Sequence, residues 1–159
     1  MNKVYLLLGS NMGDSSRQLS VACDHIKKQV GKITRKSKLY QTAAWGNEDQ
    51  PDFLNQVIVV ETKLDAETCI ASTLEIEKQM GRTRTVKNSP RIIDIDILYF
   101  NKDIIDIPGL QVPHPALQLR KFVLVPLNEL SPAFIHPVLK KSNHHLLRIC
   151  KDALDVKKI

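Results

Sequence analysis

The chain carries the sequence Pro90-Arg91-Ile92-Ile93-Asp94-Ile95-Asp96-Ile97-Leu98-Tyr99-Phe100. Residues 92–100 are dominated by β-branched and aromatic side chains, which predicts a strand. Because side chains alternate across a strand, Asp94 and Asp96 should share one face with Ile92, Leu98 and Phe100, and Ile93, Ile95 and Ile97 should point to the other face. Both faces are then largely apolar, so we expect a buried strand that carries two acids.

The elements that precede this strand predict an α+β fold. A strand, a helix, two strands and a second helix are predicted in that order, at residues 3–8, 15–31, 32–40, 53–64 and 65–81. With residues 92–100 the order is βαββαβ, a ferredoxin-like sandwich in which two helices pack on one face of a mainly antiparallel sheet. Residues 101–159 should form a Pro-rich C-terminal extension with a terminal helix near residues 146–154.

Length and composition indicate one globular domain over residues 1–159. A chain of 159 residues can bury a self-supporting core, and 43% hydrophobic with 25% charged residues excludes wholesale disorder. The formal net charge is +6. Such a charge favours a polyanionic partner, and phosphates on a small molecule or on nucleic acid satisfy it equally well.

The cysteine pattern and the absence of long apolar runs indicate the cellular location of the protein. Cys23, Cys69 and Cys150 lie far apart and show no metal-binding spacing, which favours reduced thiols. No apolar run approaches the ~20 residues that cross a bilayer. We therefore expect a soluble cytoplasmic protein without a membrane partner.

The two acids in the strand at residues 92–100 are candidate ligands of a divalent metal. Asp94 and Asp96 should lie about 6–7 Å apart along one face. Two partly desolvated like charges are costly unless a cation neutralises them, and carboxylate oxygens suit Mg²⁺. An isolated pair of this kind could equally line an exposed edge or pair with arginine.

The basic segment before the acids favours phosphate chemistry. Arg82, Arg84 and Arg91 precede or adjoin the pair, and arginine suits bidentate phosphate contacts. Metal-binding acids beside phosphate-binding bases are what phosphoryl transfer requires. The chain has no P-loop and no dinucleotide-binding glycine pattern, which disfavours those two classes of nucleotide-binding protein.

Several segments together resemble the 6-hydroxymethyl-7,8-dihydropterin pyrophosphokinases of folate biosynthesis. The resemblance covers essentially the whole chain in order, and the pattern P-R-x-x-D-x-D is its most specific part. The segments are Gly9-Ser10-Asn11, Gln50-Pro51-Asp52-Phe53-Leu54-Asn55, Gly81-Arg82-x-Arg84, residues 90–97, Val112-Pro113-His114-Pro115 and Arg120-x-Phe122.

This resemblance implies transfer of pyrophosphate from ATP to a hydroxymethyl-dihydropterin, with AMP as the second product. ATP would be the co-substrate and two Mg²⁺ ions the cofactors. Asp94 and Asp96 would be the metal ligands, and Arg82 and Arg91 would complete the catalytic set. We would expect a monomer that acts on small molecules and binds no nucleic acid.

The resemblance also implies two substrate-binding sets. The ATP-binding set comprises Glu77, Arg82, Arg84, Arg91, Ile97, His114 and Arg120. The pterin-binding set comprises Thr42, Ala44, Trp45, Phe53, Asn55 and Phe122. Residue chemistry agrees independently, because two aromatic faces suit a flat heteroaromatic ring and an amide such as Asn55 can both donate and accept.

Two other functions remain open from the residues alone. A nucleotidyltransferase on a similar sheet would also use paired carboxylates and Mg²⁺, with Glu77 as a possible third carboxylate. An RNA-binding module on the same topology would fit the basic charge, but it would need aromatic stacking platforms on its strands. Aromatic residues make up only 5% of the chain.

Overall fold

The computed structural model describes residues 1–44, 49–82 and 90–159. The helices are α1 (Ser15–Gln29), α2 (Ala66–Gln79), α3 (Lys121–Leu130) and α4 (Asn143–Ile149). The strands are β1 (Asn2–Ser10), β2 (Lys32–Lys36), β3 (Tyr40–Thr42), β4 (Phe53–Thr62), β5 (Asp94–Phe100), β6 (Ile105–Ile107), β7 (Leu110–Val112) and β8 (Lys157–Lys158). The fold of these residues is mixed α/β, with an antiparallel sheet and four helices.

The main sheet is centred on β1 and β4. These strands pair antiparallel from Asn2 opposite Thr62 to Ser10 opposite Leu54. The spatial order is β5-β1-β4-β3-β8, and β2 also pairs with β4. The single strand predicted at residues 32–40 is therefore two strands, β2 and β3. Ser37 lies between them, and its hydroxyl accepts a hydrogen bond from Val57 N at 3.0 Å, which replaces a ladder bond of β4.

Helices cover both faces of the sheet. The two predicted helices, α1 and α2, share one face as expected, and no helix was predicted for the second face. On one face, α1 and α2 pack over side chains such as Leu6, Ile58 and Ile95. On the other face, α3 and α4 pack over side chains such as Tyr5 and Val59. The continuous apolar runs of β1 and β4 are the sequence signature of strands buried on both faces. The helix α3 was not predicted, because Pro126 lies inside it and is typical of a helix break.

A bulge in β5 changes the side-chain alternation that the sequence predicts. Tyr5 lies opposite Tyr99 but the next residue, Leu6, lies opposite Ile97, so β5 has one extra residue there. Tyr99 consequently packs under α3, and Phe100 joins the core under α1 and α2. The expectation that Phe100 shares the face of the acids was therefore wrong, whereas the alternation over residues 93–97 was correct.

The C-terminal extension is more ordered than a Pro-rich loop. It contains the β6–β7 hairpin, α3, α4 and a final strand, β8, that pairs with β3. The terminal helix is Asn143–Ile149 and so begins and ends earlier than the predicted residues 146–154. None of the helices in the described ranges combines the length and the apolar character needed to cross a membrane.

Candidate active site

A cavity opens where β5 begins, and the two acids lie on its wall. In the β1–β5 ladder, Asp94 lies opposite Gly9 and Asp96 lies opposite Leu7. We call the space beside them the central cavity. Eight predicted site residues line it: Thr42, Phe53, Asn55, Arg91, Asp94, Asp96, Arg120 and Phe122. The sheet edge therefore brings together residues that are up to 80 positions apart in the chain.

Arg82 lies behind the acids and links two carboxylates. Its Nη1 lies 2.7 Å from Asp94 Oδ1 and 3.2 Å from Glu77 Oε1. Glu77 is almost completely buried, and its Oε2 accepts a hydrogen bond from Ile95 N at 2.7 Å. A buried carboxylate needs such partners, because an unpaired charge in the interior is costly. Arg82 and Glu77 therefore fix the start of β5 and the orientation of Asp94.

Asp96 carries a strongly perturbed carboxyl group. Burial, and then the neighbouring Asp94 and Glu77 carboxylates, raise the pKa of Asp96 to about 7, although Arg82 and Arg91 oppose this rise. Burial is the largest cause of this shift, and the two arginines do not offset it. A divalent cation at this wall would favour the ionised form of Asp96.

Asn11 connects three segments at the rim of the central cavity. Its Oδ1 accepts from Arg91 N at 2.7 Å, and its own N donates to Arg91 O at 3.0 Å. Its Nδ2 donates to Gln50 Oε1 at 3.0 Å and to Pro51 O at 3.2 Å. The side chain is buried at the end of β1. Asn11 therefore sets the backbone that presents Arg91 and the segment that leads into Phe53.

The far wall of the central cavity combines aromatic rings with a buried amide. Asn55 Nδ2 donates to Thr42 Oγ1 at 3.1 Å, which fixes the orientation of the amide. The Arg91 guanidinium lies 5.9 Å from the centre of the Phe53 ring, and the Arg120 guanidinium lies 5.0 Å from that of Phe122. Flat apolar faces beside a donor and acceptor suit a planar heterocycle.

A second cavity, which we call the side cavity, adjoins the first at Asp96. Its wall includes Ile97, His114 and Leu110, and Asp96 belongs to both cavities. His114 Nδ1 accepts from Ala116 N at 3.1 Å, and burial lowers the pKa of His114 against a smaller opposing effect of Asp94. The ring is therefore neutral near pH 7, with its proton on Nε2.

The cavity volumes indicate that the two spaces serve different parts of the ligands. The central cavity measures about 140 Å³ and the side cavity about 440 Å³. Ligand pockets usually measure roughly 300–1,000 Å³. The side cavity is large enough for a nucleoside, whereas a ligand in the central cavity must extend toward its open mouth or toward Asp96.

Several predicted residues lie elsewhere than expected. Glu77 and Arg82 contact each other behind the wall and do not line the central or side cavity. Ala44 is buried, and its neighbour Ala43 lines the central cavity instead. Trp45 and Arg84 lie outside the described residues.

Some site residues were not assigned from the sequence. Gly9 and Gln50 line the central cavity, although the sequence analysis used them only as parts of motifs. Asp106 lines the side cavity from β6. In residues 1–44, 49–82 and 90–159, no three His, Cys, Asp or Glu side chains form a cluster that could hold a metal. Metal binding at this site would therefore use the Asp94–Asp96 pair together with ligand oxygens.

Comparison with known proteins assigns the chain to a family. The sequence model of 7,8-dihydro-6-hydroxymethylpterin-pyrophosphokinase (HPPK) matches residues 5–132. A 2-amino-4-hydroxy-6-hydroxymethyldihydropteridine pyrophosphokinase of Aquifex aeolicus is 39% identical over 141 residues, which cover 89% of this chain and 88% of that protein. The protein of the same name from Bacillus subtilis is 42% identical over 131 residues, covering 81% and 78%.

Longer proteins contain a similar segment. Folic acid synthesis protein FOL1 of Dictyostelium discoideum is 39% identical over 138 residues, and the match covers 87% of this chain but only 21% of that protein. A Plasmodium falciparum HPPK-DHPS structure matches with a TM-score of 0.76 at 20% identity, over 92% of this chain and 44% of that one, and so supports the fold. The chain belongs to the 7,8-dihydro-6-hydroxymethylpterin-pyrophosphokinase family.

Proposed function

We propose that this protein transfers the pyrophosphoryl group of ATP to 6-hydroxymethyl-7,8-dihydropterin in folate biosynthesis. The hydroxymethyl oxygen forms a bond to the β-phosphorus of ATP, and the bond from that phosphorus to the oxygen bridging to the α-phosphorus breaks. The leaving oxygen stays with AMP, and the hydroxyl proton is released. The products are the pterin diphosphate and AMP.

One observation carries this proposal: Asp96 lines both cavities. A reaction between two substrates needs two adjacent sites with the reacting groups at their junction. The central cavity offers aromatic faces and the Asn55–Thr42 pair to a pterin ring. The side cavity is large enough for the nucleoside of ATP, and the polyphosphate would then lie along the acids and arginines between them.

The pterin site is proposed to use Phe53, Phe122, Asn55 and Thr42. The two rings would stack on the faces of the pterin. The Asn55 amide, held by its hydrogen bond to Thr42 Oγ1, would bind the polar edge of the ring. A ligand between the rings would bring its hydroxymethyl group toward Asp94 and Asp96, which share the same cavity.

The ATP site is proposed to use Ile97, His114 and Arg120. Ile97 would contact the adenine. Neutral His114 could donate from Nε2 to an oxygen of the nucleotide. Glu77, predicted as an ATP contact, is better suited to orienting Arg82, because it is buried and bonded to Ile95 N.

Arg91 is proposed to stabilise the transferred group, and Asp94 and Asp96 to hold Mg²⁺. Arg82, the other arginine of the predicted catalytic set, is proposed to hold Asp94 in place from behind the wall. The acids fit this ion, because Mg²⁺ commonly takes one or two carboxylates and completes its coordination with water and substrate phosphate oxygens. Bound Mg²⁺ would neutralise charge on the polyphosphate. Arg91 Nη1 lies 3.6 Å from Asp94 Oδ2, so this guanidinium is already beside the expected path of the phosphates.

The observed strand order also supports the ferredoxin-like topology within one domain. In the βαββαβ arrangement the first and third strands are central, the fourth strand borders the first, and the second strand borders the third. Here β1 and β4 are central, β5 borders β1, and β2 and β3 together occupy the position beside β4. We propose that residues 1–159 form this single domain, with α3 and α4 as an added layer.

Positions of individual residues favour pyrophosphoryl transfer over the two alternatives. The Glu77 carboxylate, the candidate third acid of a nucleotidyltransferase, bonds to Ile95 N and Arg82 behind the wall. Tyr5 of β1 and Tyr99 of β5 are buried under α3 and α4 and so offer no stacking platform to RNA.

Gly9→Ala should weaken binding of the pterin more than that of ATP. A Cβ at position 9 would lie 3.0 Å from Asn55 Oδ1, so the Asn55 amide must shift by a few tenths of an ångström, whereas its 3.7 Å distance to Phe53 Cδ1 is an ordinary contact. We expect the Kd of the pterin to rise about tenfold or more, as loss of one oriented hydrogen bond to a ligand commonly costs. Isothermal titration with each substrate separately measures this difference. Ser20→Ala, a small change at an exposed position on α1, is the control and should leave both Kd values unchanged.

Product analysis tests the proposed function. Purified protein with ATP, Mg²⁺ and hydroxymethyl-dihydropterin should produce AMP and pterin diphosphate in equal amounts, as resolved by chromatography. Omission of the pterin should abolish AMP formation. Release of ADP, or an AMP yield that does not depend on the pterin, would contradict the proposal.

A further inference from the structure

The segment after α4 returns to the candidate active site and contacts Arg120. Asp152 Oδ2 accepts a hydrogen bond from Arg120 Nε at 3.1 Å and another from Lys121 N at 3.1 Å. Asp152 Oδ1 accepts from Leu154 N at 3.0 Å. The side chains of Arg120 and Asp152 are 18% and 13% exposed, so solvent screens this ion pair less than an ordinary surface pair.

Asp152 is held in its ionised form. Burial alone would raise its pKa, but the hydrogen bonds from Leu154 N, Arg120 and Lys121 N together lower the pKa below its usual value. A carboxylate that is ionised and bonded through both oxygens has a defined orientation. It therefore offers Arg120 a fixed partner.

Arg120 contacts Asp152 and also lies at the cavity where the reaction is proposed to occur. It lines the central cavity together with Asp94 and Asp96, and its guanidinium lies over the Phe122 ring. An arginine side chain loses about 2 kcal/mol of rotamer freedom when it is held in one conformation. Contact with the Phe122 ring on one side and Asp152 on another restricts Arg120 before any substrate arrives.

Both ends of the segment that carries Asp152 are anchored. At one end, Cys150 N donates to Leu147 O at the end of α4. At the other end, β8 pairs with β3, and Ile159 N donates to Leu39 O at 2.9 Å. The segment therefore joins the wall that contains Arg120 to the strand that contains Thr42. It lies beyond residues 5–132, which the family sequence model matches.

We infer that Asp152 is a positioning residue that holds Arg120 in the orientation needed to bind the polyphosphate in the central cavity. The inference rests on the proposed function, since Arg120 must act on a substrate for its orientation to matter. Asp152 lines neither the central cavity nor the side cavity. Its removal should impair catalysis only through Arg120.

A double-mutant cycle tests this dependence. The variants are Asp152→Ala, Arg120→Ala and their combination, each compared by kcat/KM and by the Kd of a non-hydrolysable ATP analogue. We expect Asp152→Ala to lower kcat/KM about tenfold and Arg120→Ala to lower it up to about a hundredfold, because small misplacements of a catalytic group are costly. In the Arg120→Ala background, removal of the Asp152 carboxylate should have no further effect. Independent, multiplicative losses would overturn the inference.

Two further variants guard against a purely structural explanation. Asp152→Asn keeps an oxygen that can accept from Lys121 N but loses the charge opposite Arg120, so it should fold normally and still lose activity. Asp155→Asn makes the same change at an exposed position of the same segment and should leave kcat/KM and the thermal midpoint unchanged. Full activity of Asp152→Asn would overturn the inference.

Product assays of the wild-type protein distinguish failure of this inference from failure of the proposed function. If wild-type protein forms AMP and pterin diphosphate but the cycle is multiplicative, only the role of Asp152 fails. If wild-type protein forms neither product, the proposed function fails and the inference fails with it.

Discussion

Asp96→Asn should reduce turnover by about a thousandfold or more while the fold remains intact. Asp96 lies on the boundary between the central and side cavities, where the transferred group must pass. An amide cannot replace a carboxylate as a charged ligand of Mg²⁺, and loss of such electrostatic stabilisation typically costs two to three orders of magnitude or more. Steady-state rates of AMP formation at saturating ATP and pterin measure the effect.

The same variant should not lose stability. Burial and the neighbouring carboxylates raise the pKa of Asp96 to about 7, so its ionised form is disfavoured in the folded protein and stability falls as pH rises through that value. The neutral amide removes this cost, and the free energy of unfolding at pH 8 should be unchanged or higher. Asp103→Asn, at an exposed position just after β5, is the matched control and should keep full activity. Normal turnover of Asp96→Asn would refute the metal-binding role.

Arg91→Ala should lower kcat by about a hundredfold or more with little change in stability. Its guanidinium lies beside Asp94 and over the Phe53 ring, at the edge of the cavity where the phosphates are expected. Arginines that stabilise a transferred phosphoryl group are commonly worth 10³-fold or more. The backbone bonds between Arg91 and Asn11 survive in the alanine variant, so the segment should keep its position. Arg17→Ala, an exposed arginine on α1, is the control.

Arg82→Ala should behave differently, because Arg82 is largely buried between two acids. Its loss leaves Glu77 and Asp94 without their shared cation, and removal of one partner from such a buried group costs about 3 kcal/mol. Urea unfolding should therefore separate the two variants, with a lower midpoint for Arg82→Ala alone. Equal stability of the two variants would show that Arg82 is not the structural link that its contacts indicate.

The elements that depend on local pattern could be predicted from the sequence. The strand predicted at residues 92–100 and the helix predicted at residues 65–81 both follow from short-range signals, and the structure has β5 at Asp94–Phe100 and α2 at Ala66–Gln79. The helix α3 could not be recognised, because its buried face is defined by contact with β1 and β4, distant in sequence. The bulge opposite Tyr5 was equally unpredictable, since it depends on how β5 pairs with β1.

The types of residue in the site could be predicted from the sequence, but the side-chain contacts that hold them in place could not. Asp94, Asp96, Asn55 and Phe53 were identified by chemistry and family resemblance, and they do line one cavity. The link from Asp152 to Arg120 spans 32 positions and belongs to no motif. Such contacts depend on the path of the chain in three dimensions, so no spacing in the sequence reveals them.

The fate of the β-phosphate tests the central claim most directly. With ATP labelled in its β-phosphate, Mg²⁺ and hydroxymethyl-dihydropterin, all transferred label should appear in the pterin product, and AMP should carry none. Attack on the β-phosphorus requires this distribution. Label recovered in ADP, with a singly phosphorylated pterin, would mean transfer of the γ-phosphate alone and would contradict the proposed function.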